Sequence, residues 1–246
     1  MFTVEEETNV TPSIEKVKKA KEIKKITSEV VVTGTANSLN SKLFRLEDHI
    51  LILFDLETTG LNFSLGHRII QIAAKVMLED KEIFNAYVLP SGSTVSNEIA
   101  KLTGITQEFL NTNGMPIEDA LRKFNDWITY LQETKYPNKK IVLGGHNAKL
   151  FDFPFLKSEM QNLPTSKYIT LSGITCFDSL SVLKDKRIWD NYGKKPVNFK
   201  LVTIHKHLMN SDFNAHDARS DVIALENCLV KVNFQSVVQD HLFIFT

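Results

Sequence analysis

The sequence predicts an α/β fold with a mixed β-sheet flanked by α-helices, and three observations predict it. An apolar run from His49 to Phe54 leads straight into Asp55, as in a strand buried on both faces that delivers polar groups at its end. Two further strand patterns, Arg68 to Leu78 and Ile83 to Leu89, follow closely and are joined by a tight turn around Glu79 to Lys81. Beyond them, helical and strand periodicities alternate. At 246 residues with 43% hydrophobic composition, the chain has material for a sizeable core and for one domain, or one domain with an appendage.

The first three strands are therefore expected to be sequential and antiparallel. Val95 to Leu102 predicts a short helix. Pro116 to Leu131 predicts a longer one, with an apolar stripe of Ala120, Leu121, Phe124, Trp127, Ile128 and Leu131 behind a well-placed starting proline. Ile141 to Leu143 returns to strand, and Gly144-Gly145 is read as a sharp turn before His146-Asn147. The next helix is placed from Asp152 towards Met160, with Pro154 either in its first turn or breaking it. Ile174 to Phe177 reads as a short strand, Leu201 to Met209 as a helix, and Asp217 to Phe234 as a long final helix. The apolar tail from Gln235 to Thr246 is expected to dock as an edge strand or terminal packing segment. No internal repeat is present.

Residues 1–45 read as an amino-terminal extension and residues 46–246 as the domain with its packing tail. Ser13 to Ile26 has the spacing of an amphipathic helix, and Thr33 to Lys42 reads as a linker. The extension either packs on the domain or forms an arm that binds a protein partner or nucleic acid. Formal charge is zero, from 29 basic and 29 acidic residues, so no partner is captured by bulk electrostatics. Locally, Lys184, Lys186, Arg187, Lys194, Lys195, Lys200 and Lys206 face only Asp185 and Asp190, which reads equally as a nucleic-acid path or a solvated loop. Cys176 and Cys228 form neither a disulfide framework nor a CxxC pair and are expected to be buried. With no secretory start and no long apolar span, an intracellular setting, cytoplasmic or nuclear and without membrane association, is expected.

Three strings carry chemistry. In Phe54-Asp55-Leu56-Glu57-Thr58-Thr59-Gly60, strand periodicity puts Asp55 and Glu57 on one face. Two acids crowded in a partly buried place either share a proton or bind a cation, and oxygen ligands suit Mg²⁺ or Mn²⁺; solvated acids in a loop are the alternative. In His146 to Phe155, Asp152 stands among Phe151, Phe153 and Phe155, as a helix cap or a site residue. In His216-Asp217-Ala218-Arg219-Ser220-Asp221, the imidazole precedes a carboxylate by little more than one helical turn.

With these strings the chain resembles the DEDDh branch of the DEDD (DnaQ-like) 3′→5′ exonucleases. The matches are Asp55 to Gly60, His146-Asn147 through Asp152, and His216-x4-Asp221. The sister branch carries a tyrosine where Asp217 stands. Arg68 to Ala73 resembles the family's second strand, although glutamate is common at the position of Gln71. The resemblance implies a ribonuclease H-like fold and hydrolysis of the terminal phosphodiester of DNA or RNA at a free 3′ end, single-stranded at the terminus. It also implies two Mg²⁺ or Mn²⁺ ions held by Asp55, Glu57, Asp152 and Asp221, with His216 as general base. Leu56 and Thr58 resemble positions that receive the terminal sugar. Ile105 would wedge against the last base or simply pack, and Asn147 would orient Asp152 or a phosphate. An intracellular role in processing or repair follows.

Overall fold

The structure is a computed structural model that describes residues 44–163, 171 and 173–246. The helix expected over 13–26 and the linker over 33–42 lie outside the described residues.

Three strands open the domain: β1 (His49–Thr58), β2 (Ile69–Val76) and β3 (Ile83–Tyr87). Helices α1 (Asn97–Thr103), α2 (Gln107–Asn113) and α3 (Ile117–Tyr130) lead to β4 (Lys140–Gly145) and α4 (Asp152–Gln161). Then come β5 (Thr175–Asp178), α5 (Ser179–Lys184), α6 (Lys186–Tyr192), α7 (Leu201–Met209), α8 (Ala218–Lys231), α9 (Gln235–Val238) and β6 (Leu242–Ile244). The sheet order is β3-β2-β1-β4-β5-β6. β1 pairs antiparallel with β2 and parallel with β4, β4 parallel with β5, and β5 antiparallel with β6. The fold is thus a mixed sheet of ribonuclease H-like architecture, and the apolar tail supplies α9 and the edge strand β6.

Period-two alternation divides the core between the two faces of the sheet. Ile52, Phe54, Ile72 and Ala74 point towards Phe124 and Ile128 of α3 and Phe153 and Leu156 of α4. Leu51, Leu53, Val142 and Phe177 point to the other face, where they pack with Val222, Leu225 and Leu229 of α8 and Trp189 of α6. Opposite partners across β1 and β2 share a face, and the register sets Leu53 against Lys75, Asp55 against Ala73 and Glu57 against Gln71. The acids therefore lie on the α8 face.

Four short helices escaped the periodicity, α2, α5, α6 and α9, and the first three are capped alike. Each of these three is held by a side-chain cap, with Thr106, Asp178 and Asp185 accepting the N–H of Phe109, Leu180 and Arg187 at 3.1, 2.9 and 2.9 Å. The sharp turn read into Gly144-Gly145 is corrected: both residues lie in β4. Their role is close approach, since a Cβ on Gly144 would sit 2.1 Å from the Phe177 ring and one on Gly145 2.7 Å from the Phe54 carbonyl. The turn itself comes at Asn147, whose φ of 61° is a left-handed value that asparagine tolerates. Pro154 sits in the first turn of α4, where its missing N–H has no intrahelical partner to lose. Both cysteines are free and buried, and burial pushes their thiols up to about 12. Among the described residues no helix is long and apolar enough to cross a membrane.

Candidate metal centre

β1 outruns its parallel neighbour. Its pairing with β4 ends at Leu53 opposite Gly144, while its pairing with β2 continues to Thr58. Asp55 and Glu57 thus project from a central strand at the sheet edge where β1, β4 and β5 all end, and α8 brings Asp221 to them. One carboxylate oxygen from each of Asp55, Glu57 and Asp221 lies within 4.8 Å of the others.

That convergence is electrostatically unfavourable on its own. Burial, then the charges of Asp152, Asp221, Glu57 and Asp217, holds the Asp55 carboxyl well above the usual carboxylate range. Burial followed by Asp221, Asp152 and Asp217 pushes Glu57 up to about 8. Asp221 rises to about 7 mainly through burial, although the His216 N–H bonded to it acts the other way. Among the described residues no cation of the chain is among the charges acting on these three acids. Three hard oxygen donors without an internal counter-charge fit a divalent cation such as Mg²⁺ or Mn²⁺.

Asp152 approaches from the first turn of α4 and lies outside the set of three mutually close oxygens. Its Oδ1 accepts the N–H of Leu56 at 3.1 Å, a donor that β1 leaves free where β4 has ended. The structure therefore gives Asp152 a strand partner beyond any helix cap. Burial is the first cause of its rise to about 7, opposed by that N–H and its own, with Asp178 and Asp221 adding repulsion.

His216 occupies the turn before α8 at a left-handed φ of 65°. Its N–H donates to Asp221 Oδ2 at 2.9 Å, which fixes the backbone beside the cluster while the residue stays exposed to solvent. The turn is anchored from below by a residue read in the sequence only as a departure. Gln71, fully buried on β2, donates through Nε2 to Asp217 Oδ1 at 3.0 Å and to Asn85 Oδ1 at 2.9 Å. Its Oε1 accepts the Ala218 N–H at 3.1 Å. A carboxylate could accept that last bond but could not donate to Asp217, so Gln71 and Asp217 are matched chemically.

Asp178, also missed in the sequence, organises the second motif from the end of β5. Its Oδ1 accepts the N–H groups of Asn147 and Leu180, both at 2.9 Å, and its Oδ2 that of Lys149 at 3.3 Å. His146 donates Nε2–H to the Phe199 carbonyl at 2.9 Å, which leaves Nδ1, 3.0 Å from Ser179 Oγ, as acceptor in the neutral ring. Burial holds this imidazole below its usual pKa, favouring that neutral form.

The remaining expected contact residues are less uniform. Leu56 has its N–H engaged by Asp152. Thr58 is buried and donates to the Gly60 carbonyl at 2.6 Å. Asn147 is bound through its backbone to Asp178. Ile105 is only 5% exposed and packs with Ile70 and Leu110, whereas Leu102 in the same segment is 50% exposed. Ile105 therefore occupies the packing alternative. His67, which was not among those expected contacts, accepts the N–H of Asn62 at 3.1 Å.

Residues 52–225, well over half of the chain, match the family model described as an exonuclease. A PolC-type DNA polymerase III from Streptococcus suis (strain 98HAH33) is 30% identical over 200 residues, covering 79% of this chain. The chain spans only 12% of that polymerase's length. Among solved structures, E. coli exonuclease I in complex with a dT13 oligonucleotide superposes with a TM-score of 0.58 at 21% identity, covering 78% of this chain and 43% of that one. The nuclease domain of 3′hExo, a DEDDh family member bound to rAMP, gives 0.56 at 19% identity, covering 79% of this chain and 94% of that one. Likeness at these identities establishes the shared fold. Together with the family match and the ordered acidic motifs, it places this chain in the exonuclease family, in its DEDDh (DnaQ-like) branch.

Proposed function

We propose that the chain hydrolyses the last phosphodiester at a free 3′ end of DNA or RNA and releases a nucleoside 5′-monophosphate. In this reading two divalent ions, Mg²⁺ or Mn²⁺, are held by Asp55, Glu57, Asp152 and Asp221, and His216 is the general base. The observation that carries it is the convergence of Asp55, Glu57 and Asp221 within 4.8 Å, with no cation of the chain acting on them among the described residues. Asp55 lies close enough to Asp152, Asp221, Glu57 and Asp217 to feel their charges, which supports counting it among the residues that would hold the ions. The dT13 bound to E. coli exonuclease I and the rAMP bound to 3′hExo support a single-stranded polymer and a mononucleotide product.

Ions held by these four acids would supply Lewis acidity, lowering the pKa of an attacking water and offsetting charge on the departing 3′-oxygen. His216 takes a proton from that water at an imidazole nitrogen as the water oxygen bonds to phosphorus and the bond to the 3′-oxygen breaks. The departing oxygen leaves as the new 3′-hydroxyl of the shortened strand, with a proton drawn from solvent. Exposure of His216 gives it access to water, while its N–H bond to Asp221 keeps it beside the acids. Asp152, oriented by the Leu56 N–H, would be the fourth carboxylate to hold the ions. Leu56 and Thr58 would receive the terminal sugar, and Asn147, bonded through its backbone to Asp178, sets the loop that leads to Asp152.

Matched DNA and RNA strands with free and blocked 3′ ends test this reading. Stepwise mononucleotide release from free ends alone, abolished by chelation and by Asp55→Ala, is the expected result. Internal cleavage, or turnover that survives Asp55→Ala, would overturn it.

A further inference from the structure

The loop 193–200, between α6 and α7, is the part of the basic segment that the fold both fixes in place and leaves without counter-charge. Three of the seven cations between Lys184 and Lys206 are engaged: Lys186 with Asp190, Arg187 with Asp185 and Asp240, and Lys206 with Asp212. No ion pair engages Lys184, Lys194, Lys195 or Lys200 among the described residues, and all four are exposed. Three of these four lie within the loop.

Two histidines hold the loop by its backbone. His207 donates Nε2–H to the Lys194 carbonyl at 2.8 Å near one end, and His146 donates to the Phe199 carbonyl at 2.9 Å near the other. Beneath it, the rings of Tyr192, Phe199 and His207 pack around Trp189 with centroids 5.9 to 6.0 Å away. A solvated stretch of lysines would gain solubility without such anchoring. Here the backbone is fixed while the like charges remain uncompensated, and Val197 between them is 91% exposed. A groove of about 410 Å³ lies alongside, lined by Val197, Val202, Thr203, Lys206, His207 and Asp212.

The anchors also place the loop relative to the acids. His146 follows the end of β4 directly, at the sheet edge where β1 presents Asp55 and Glu57. The loop runs into α7, which packs on α8, the helix that carries Asp221. It thus connects the segment bearing Asp152 with the helix bearing Asp221, on the side of the sheet that holds the cluster.

We propose that the loop 193–200 is a phosphate-binding arm, in which Lys194, Lys195 and Lys200 hold the backbone of the substrate strand upstream of the bond being cut. This rests on the exonuclease reading above and adds to it the path of the strand. The contact is with phosphates and is indifferent to base sequence.

The test compares the full chain with Lys194→Gln/Lys195→Gln/Lys200→Gln on a single-stranded 20-mer and on a dinucleotide, whose single phosphodiester is the bond being cut and which therefore has no upstream phosphate. Each phosphate contact on a single strand contributes roughly 0.7 to the slope of log affinity against log salt, so the variant should lose about 2 from that slope. KM for the 20-mer should rise at least about tenfold with kcat unchanged, and dinucleotide turnover should not change. Arginine at the same three positions should restore the 20-mer KM. Neutralising Lys123, Lys140 and Lys231, which lie away from this sheet edge, should leave the slope unaltered. An unchanged slope, or equal loss on both substrates, would overturn the arm. Anisotropy of the labelled 20-mer with both proteins reads the slope without turnover, so failure of the hydrolytic reading would be seen separately.

Discussion

Acids gather between α8 and the sheet at two places along β1 and β2, and they are treated oppositely. Away from the sheet edge, Glu226 of α8 meets Lys75 of β2 at 2.7 Å and also accepts the Leu78 N–H at 2.5 Å. At the edge, Asp55, Glu57 and Asp221 meet one another, and among the described residues every charge acting on them is negative. Where an acid fastens helix to sheet, the chain supplies the cation and the hydrogen bonds that a buried charge requires. Where the acids form the candidate site, no such cation is supplied among the described residues, an arrangement that fits an external one.

The largest break in this contrast is at Asp55. Asp55→Asn should lower turnover on the order of 10³-fold, the equivalent of about 4 kcal/mol of lost transition-state stabilisation. It should raise the metal-free unfolding midpoint at the same time, because one of several repelling charges has gone. The opposite place should behave in the opposite way. Lys75→Met leaves Glu226 buried without its partner and should cost about 3–5 kcal/mol in urea unfolding. The double variant Lys75→Met/Glu226→Gln should recover most of that loss.

Acidity sharpens the contrast further. In the metal-free fold Glu57 ionises near 8 and Asp152 and Asp221 near 7, against ordinary values of 4.5 and 3.8. Folded pKa values above the unfolded ones mean that these groups' contribution is complete below about pH 4 and is lost as pH rises through 7 to 8. Thermal midpoints in chelator should therefore fall between pH 6 and pH 9, and saturating Mg²⁺ should remove the fall. A flat metal-free profile would contradict the account.

The smallest expected effect lies beneath the His216 turn. Gln71→Glu keeps the acceptor for Ala218 but loses the donors to Asp217 and Asn85 and sets two carboxylates against each other. It should cost roughly 1–3 kcal/mol in stability and lower kcat by about tenfold. Asp217→Asn in the same chain restores a donor and should recover much of both. Failure of this rescue would reduce Gln71 to a packing residue.

The open acidic site was far more legible in sequence than the closed ion pair. Asp55 and Glu57 are two residues apart on a strand, and His216 and Asp221 are five apart at a helix start, so local periodicity brings each pair together. The start of α4 at Asp152 was legible from Pro154, which a helix accepts in its first turn. Lys75 and Glu226 are 151 residues apart, and Gln71 and Asp217 are 146 apart, so nothing local joins them. Asp178 also escaped notice, because its bonds to the loop at 147–149 exist only once β4 and β5 are paired. Helices α2, α5 and α6 were too short for a periodicity to emerge and depend on caps. Ile105 was placed by resemblance, whereas its packing against Ile70 is a tertiary fact.

Calorimetric titration of Mg²⁺ or Mn²⁺ into the metal-free chain at pH 7, repeated in buffers of different ionisation enthalpy, tests the central contrast without any substrate. The account expects saturable binding with net proton release, because acids held near 7 and 8 must ionise to serve as ligands, and expects both to weaken sharply in Asp55→Asn. Absence of millimolar or tighter binding, or binding that releases no protons, would contradict it.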